Sequence, residues 1–193
     1  MKINKLAAIC KKTETIMLYD KEDGGQWIGD GAAMYPAYDL PELNDDYIYA
    51  IFDIPEKKQK KMSYRRQGMP PSISVADSVP NENMLDPPKF DISVAGRILR
   101  PLKTQRGLIF IDTKYLLPLA DADDYLELYE RISTDGKLYV AVKNGFMLMA
   151  VILPYKIVTE DFVENMEELA RLCKIAYENN STDNGLEGNH DNG

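Results

Sequence analysis

Residues 138–153, LYVAVKNGFMLMAVIL, constrain the fold of this chain more than any other stretch. Two apolar runs flank Asn144-Gly145, a dipeptide suited to the positive φ angles of a type I′ turn, so the segment reads as a β-hairpin. With Asn144 and Gly145 as the turn residues, Lys143 faces Phe146, Val142 faces Met147, Val140 faces Met149 and Leu138 faces Val151. One face then carries Val140, Val142, Met147, Met149 and Val151, and the other Tyr139, Ala141, Phe146, Leu148 and Ala150. Neither face is polar, so core or a partner must cover both.

The remaining chain is ordinary enough to support a core around that hairpin. At 193 residues, 45% apolar and 28% charged, it suits one domain or two small repeats of a soluble globular protein. The net charge is −8, of which residues 178–193 supply −4 through Glu178, Asp183, Glu187 and Asp191. A mildly acidic body argues against general polyanion binding but leaves room for a local basic site. Cys10 and Cys173 lack metal-ligand spacing and are expected as two buried free thiols of a reducing cytosol, with one disulfide the alternative. The opening MKINKLAAICKK holds an apolar run too short for a signal peptide, and the run ending at Leu153 is too short for a membrane span. A soluble, cytoplasmic protein without membrane contact is expected.

Taken in order, residues 3–11 have the spacing of a short amphipathic helix, 15–20 read as a strand, and 26–35 as a second, glycine-interrupted strand. Asn44 is a candidate cap for a helix over 45–54, ended by Pro55. Residues 68–89 contain five prolines among many polar residues and are expected as a loop or linker. Residues 90–99 and 101–112 then read as strands, followed by a helix over 122–132 that Asp121 would cap. Thr159 caps a last helix reaching about Tyr177, with Phe162, Met166, Leu169, Cys173 and Ala176 as its apolar stripe. Residues 179–193 are too polar to offset ordering entropy and are expected to be disordered.

The halves also repeat one another. Gly25 and Asp30 align with Gly107 and Asp112, and the spacing Asp46-Tyr47, Ile48, Ile51, Ile54 recurs as Asp124-Tyr125, Leu126, Tyr129, Ile132. This predicts an α+β fold of two related strand–strand–helix units with antiparallel sheets, plus a C-terminal helix. The implied domains are 1–67 and 90–178, joined by the Pro-rich 68–89 and followed by the tail at 179–193. A duplicated unit whose final apolar strand stops at proline, FMLMAVILP, resembles the domains of DNA polymerase processivity (sliding) clamps over about residues 3–155. That resemblance implies a clamp-like arrangement and a role as a DNA-metabolism accessory factor. The chain departs from clamps where their DNA-facing helices are basic: 45–54 holds three acidic residues and no basic one, and 122–132 holds four against Arg131 alone. Such helices repel phosphate. The sequence also resembles uncharacterised prophage proteins of Gram-positive gut bacteria, which implies a mobile-element origin and a bacterial or phage-infected cell as its place.

Little in the chain points to catalysis. The single histidine, His190, lies in the polar tail, which argues against His-based triads and most zinc sites. Asp20, Asp23 and Asp30, or Asp112, Asp121, Asp123 and Asp124, could converge on a metal, but turn and cap roles explain them as well. GQWIGDG at 25–31 lacks a phosphate-loop spacing, and Trp27 and Tyr35 read as core, with ligand stacking the alternative. The nucleic-acid candidate is the run at 57–66, with Lys57, Lys58, Lys60, Lys61, Arg65 and Arg66 to meet phosphates and Tyr64 to stack a base; a solvated charged segment is the alternative. The expectation is therefore a non-catalytic interaction protein, without cofactor or metal, acting on a protein partner or by self-association. Nucleic-acid contact through the basic run is the second reading, and a metal-dependent carboxylate enzyme the third.

Overall fold

The computed structural model describes residues 1–183 apart from Asp39 and Asp46, and the side chains of 121–124 and 181–183 also lie outside the description. In chain order the elements are α1 (Ile3–Thr13), β1 (Thr15–Asp20), β2 (Gln26–Gly29), β3 (Ala33–Pro36), the one-turn helices α2 (Ile48–Ile51) and α3 (Glu56–Gln59), and β4 (Ser63–Gly68). There follow β5 (Asn83–Leu85), β6 (Ile92–Val94), β7 (Arg97–Thr104), β8 (Gly107–Asp112), a 3₁₀ segment Thr113–Tyr125, β9 (Leu126–Ile132), β10 (Leu138–Asn144), β11 (Met147–Ile152) and α4 (Glu160–Asp183). The fold is α+β. Among the described residues, eight strands form one sheet in the order β4-β1-β2-β3-β11-β10-β9-β5, and β6-β7-β8 form a second. The large sheet is mixed rather than antiparallel, because β4 returns beside β1 in parallel register.

Both faces of the large sheet are covered. On one, Ile16, Leu18, Ile28, Val140, Val142, Ala150 and Ile152 pack against Leu6, Ile9 and Cys10 of α1, Phe52 after α2, and Tyr115, Leu116 and Leu119 of the 3₁₀ segment. Leu102 and Ile111 of the small sheet join the same core. On the other face, Tyr19, Trp27, Met34, Tyr139, Ala141, Leu148 and Val151 lie under Met69, Ile73 and Val75. The hairpin strands, apolar on both sides, are thus covered within the chain, while Phe146 and Met147 at the tip stay exposed. Trp27 and Tyr35 are core residues, as their sequence context implied.

The hairpin's register differs from the expected one. Asn144 pairs with Met147 and Lys143 with Leu148, so the turn residues are Gly145 and Phe146, and Gly145 alone takes a positive φ, of 58°. That is the pattern of a type II′ turn, which needs glycine only at its first central position. A bulge then places Val142 opposite Ala150, leaving Met149 as the extra residue. Val140 and Val142 therefore share a face with Ala150 and Ile152 rather than with Met147 and Val151.

Residues 126–132, expected as helix, form the strand β9 between β10 and β5. Their local pattern LELYERI alternates, with Leu128 and Glu130 facing one side and Tyr129 and Arg131 the other; sheet pairing outweighed the 3.6-residue stripe. The aligned spacings at 46–54 and 124–132 thus end in a helical turn in one half and a strand in the other. The boundary drawn at 68–89 also does not separate two sheets. β3 pairs with β11, so strands from before and after that segment share one core, and the segment itself lies across the sheet.

Met1–Tyr155 forms one compact unit and Lys156–Gly193 a second. In the second, α4 begins at the Thr159 cap, whose Oγ1 accepts from the Phe162 N–H at 3.3 Å, and continues to Asp183. Helix replaces the disorder expected for 179–183, while 184–193, with His190, lie outside the described residues. Cys10 is buried as expected, but Cys173 is exposed on α4. Among the described residues, no helix is long and apolar enough to cross a membrane.

Candidate functional site

The most chemically distinctive surface of the first unit gathers around the C-terminal turn of α1. The helix stops after Thr13 because Glu14 adopts the left-handed conformation, with φ 52°, and its N–H returns to the Cys10 carbonyl. Lys11 and Lys12 occupy the last turn, where cations complement the helix dipole. On one side of that turn, Lys11 joins Lys57, Lys58 and Lys61 around a cavity of about 220 Å³ whose other walls include Ile54, Met62 and Glu14. The Gln59 amide donates to the Ile54 carbonyl at 2.9 Å, tying α3 down so that its lysines line the cavity.

On the other side of the turn, Lys12 and Thr13 border a larger cleft of about 640 Å³, within the size range of ligand sites. Arg97, Lys114, Asp112 and the tight β6–β7 turn at Ala95-Gly96 complete it. Its cations are held in place. Buried Asp112 accepts from Arg97 Nη1 at 3.0 Å and lies 3.6 Å from Lys114 Nζ. Arg97 also stacks over Tyr155 at 5.0 Å, and Lys114 over Tyr115 at 4.6 Å. One carboxylate thus organises two cations and leaves the cleft net positive. The hydrogen bond to Asp112 holds the Arg97 guanidinium above its usual range.

The residues of the 57–66 run do not act as one patch. Lys57, Lys58 and Lys61 turn toward Lys11, while Lys60 and Arg65 are exposed outside both cavities. Arg66 is neutralised by a bidentate pair with Asp20, at 2.7 and 3.1 Å. Tyr64 packs against the core, contacts Tyr49 with ring centroids 6.1 Å apart, and donates to Asp45 at 2.7 Å. Burial and that hydrogen bond push its hydroxyl pKa up, and its ring is not free to stack a base. Arg97, Lys114, Lys11 and Lys12 carry no contiguous sequence signal. Lys11-Lys12, Arg97 and Lys114 lie far apart along the chain, and only the packing of the 3₁₀ segment and the small sheet against α1 brings them together.

The candidate carboxylates have structural partners. Asp20 bonds Arg66 and Gln26; Asp23 accepts from Lys21 and the Gly25 N–H. Asp30 caps the β2–β3 turn through Ala32 and Ala33 N–H and accepts from the Tyr115 hydroxyl at 2.9 Å. The side chains of Asp121, Asp123 and Asp124 lie outside the described ones. No cluster suited to a metal occurs among the described residues.

A second charged cluster lies on the outer face of the large sheet. Arg131, fully buried, donates Nε to Glu82 at 2.8 Å, Nη1 to the Ala76 carbonyl at 2.8 Å and Nη2 to the Asp77 carbonyl at 3.0 Å. Lys143 also pairs with Glu82 and sits 4.3 Å over the Tyr129 ring. Burial pushes the Glu82 carboxyl up, but the hydrogen bonds from Lys143 and Arg131 outweigh it and hold the pKa below the usual range. The cluster pins 74–82 to the sheet and has the character of a structural latch. No family model, curated protein or solved structure matches the chain.

Proposed function

We propose that the chain is a non-catalytic interaction protein that assembles with copies of itself through α4. The observation that carries this reading is the helix's uncharged apolar stripe. Phe162, Met166, Leu169, Cys173 and Ala176 recur at intervals of four and three, the spacing of a coiled-coil seam. Val163, Ala170, Leu172 and Tyr177 widen that seam, and every charged residue between Glu160 and Glu178 falls outside it. Yet Met166, Leu169 and Leu172 remain 40%, 52% and 48% exposed. A helix of this length keeps most of its stability from packing of such a face, so a partner surface is called for. A face without charge favours an equally uncharged one, and a second α4 supplies it.

Light scattering and sedimentation from about 1 to 100 μM test this. The wild type is expected to associate over that range, and Met166→Glu with Leu169→Glu to be monomeric while the first unit melts unchanged. A wild-type monomer throughout would end the reading.

A further inference from the structure

We infer that the two basic cavities flanking the end of α1 form one continuous cationic track that binds the phosphodiester backbone of a nucleic acid. Three observations support it together. First, the cavities adjoin: Lys11 and Glu14 line one, and Lys12 and Thr13, between them in the chain, line the other. Consecutive Cα atoms are only about 3.8 Å apart, so both rims meet at a single helical turn. Second, the charge is concentrated. Seven cations border the track against Glu14 and Asp112, in a protein whose net charge is −8. Third, the cations are presented rather than consumed. Among the described residues, Lys12, Lys57, Lys58 and Lys61 have no carboxylate within ion-pair distance, while Arg97 and Lys114 share Asp112 and Lys11 lies 3.9 Å from the exposed Asp53.

The helix dipole accounts for lysines at 11 and 12, but not for Lys57 and Lys58 of α3, Lys61 just after it, Arg97 of β7 and Lys114 of the 3₁₀ segment. A compact anion would engage one cavity and leave the other's cations unmatched. A chain with a negative charge at every repeat matches both. Among the residues lining the two cavities there is no aromatic ring. The track therefore reads backbone charge rather than base identity.

Fluorescence anisotropy with a labelled 20-nucleotide single strand and the matching duplex, in 50–200 mM salt, tests the proposal on the full chain. Lys12→Ala with Lys58→Ala removes one exposed cation from each cavity. It is expected to weaken binding about tenfold at 50 mM salt and to reduce the salt slope by about 1.4 for single strands or about 1.8 for duplex. Lys89→Ala with Lys103→Ala removes the same charge from exposed positions outside the track and is expected to change affinity less than twofold. Affinity for either nucleic acid with this variant pattern supports the track and shows which form it takes. No binding by the wild type, equal losses in both double variants, or binding of tripolyphosphate but of neither nucleic acid would overturn it.

Discussion

Replacing Arg131 by methionine isolates the latch that fastens 74–82 to the large sheet. The change keeps an unbranched apolar stem in the buried site but removes a guanidinium that is fully enclosed and bonded to Glu82, Ala76 and Asp77. Breaking a buried ion pair from one side costs about 3–5 kcal/mol, because the remaining charge stays desolvated. Two features pull the value toward the lower end. Lys143 still pairs with Glu82, and the freed carbonyls can reach water if the segment lifts. About 3 kcal/mol is therefore expected, which at about 2–4 °C per kcal/mol for a domain of this size lowers the Tm by about 6–12 °C. Lifting should also expose the Leu148 N–H, which donates to Asp77 Oδ1 at 2.8 Å, while Val142 and Ala150 inside the sheet keep their protection. Thermal melts followed by circular dichroism, with amide hydrogen exchange, read both effects. A Tm within about 2 °C of wild type and unchanged exchange at Leu148 would refute the latch.

Gly29→Ala should be among the most damaging substitutions in the chain, because a Cβ there would lie 1.8 Å from the Ala33 carbonyl oxygen, 2.8 Å from its carbon and 2.9 Å from the Met34 Cα, all of them backbone atoms. A loss of about 3 kcal/mol or more is expected in urea unfolding, and a change under about 1 kcal/mol would contradict the turn geometry. Glu82 sets a pH dependence. Its folded pKa is depressed below the ordinary 4.5, so the stability it contributes is complete above that value and is lost as the pH falls through the folded pKa. Melts between pH 6 and pH 2.5 should show Glu82→Gln less acid-sensitive than wild type across that window, and identical slopes would exclude Glu82 as a source. Burial pushes the Cys10 thiol up, and its Sγ donates to the Gly29 carbonyl at 3.6 Å. In a Cys173→Ser background, a thiol reagent should therefore label nothing until urea unfolds the protein; rapid native labelling would show that α1 does not seal the core.

The sequence by itself determined the elements whose signal is local. The amphipathic spacing of α1, the alternation of β1, the Thr159 cap and the apolar character of 138–153 are properties of neighbouring residues, and each appears where its pattern placed it. The C-terminal stripe was legible for the same reason. Tertiary structure decided what local periodicity leaves degenerate. LELYERI at 126–132 fits a helical stripe and a strand equally; it became β9 because β10 and β5 offered hydrogen bonds on both edges. The hairpin's turn lies one residue further along than its dipeptide suggests, and a separate bulge at Met149 puts Ala150 and Ile152 on the core face. The basic surface was the least readable. The run at 57–66 is visible as composition, yet its Arg66 is spent on Asp20 and its Tyr64 on Asp45 and the core. The cations that flank its remainder, Lys11, Lys12, Arg97 and Lys114, are joined only by packing, which no spacing along the chain records.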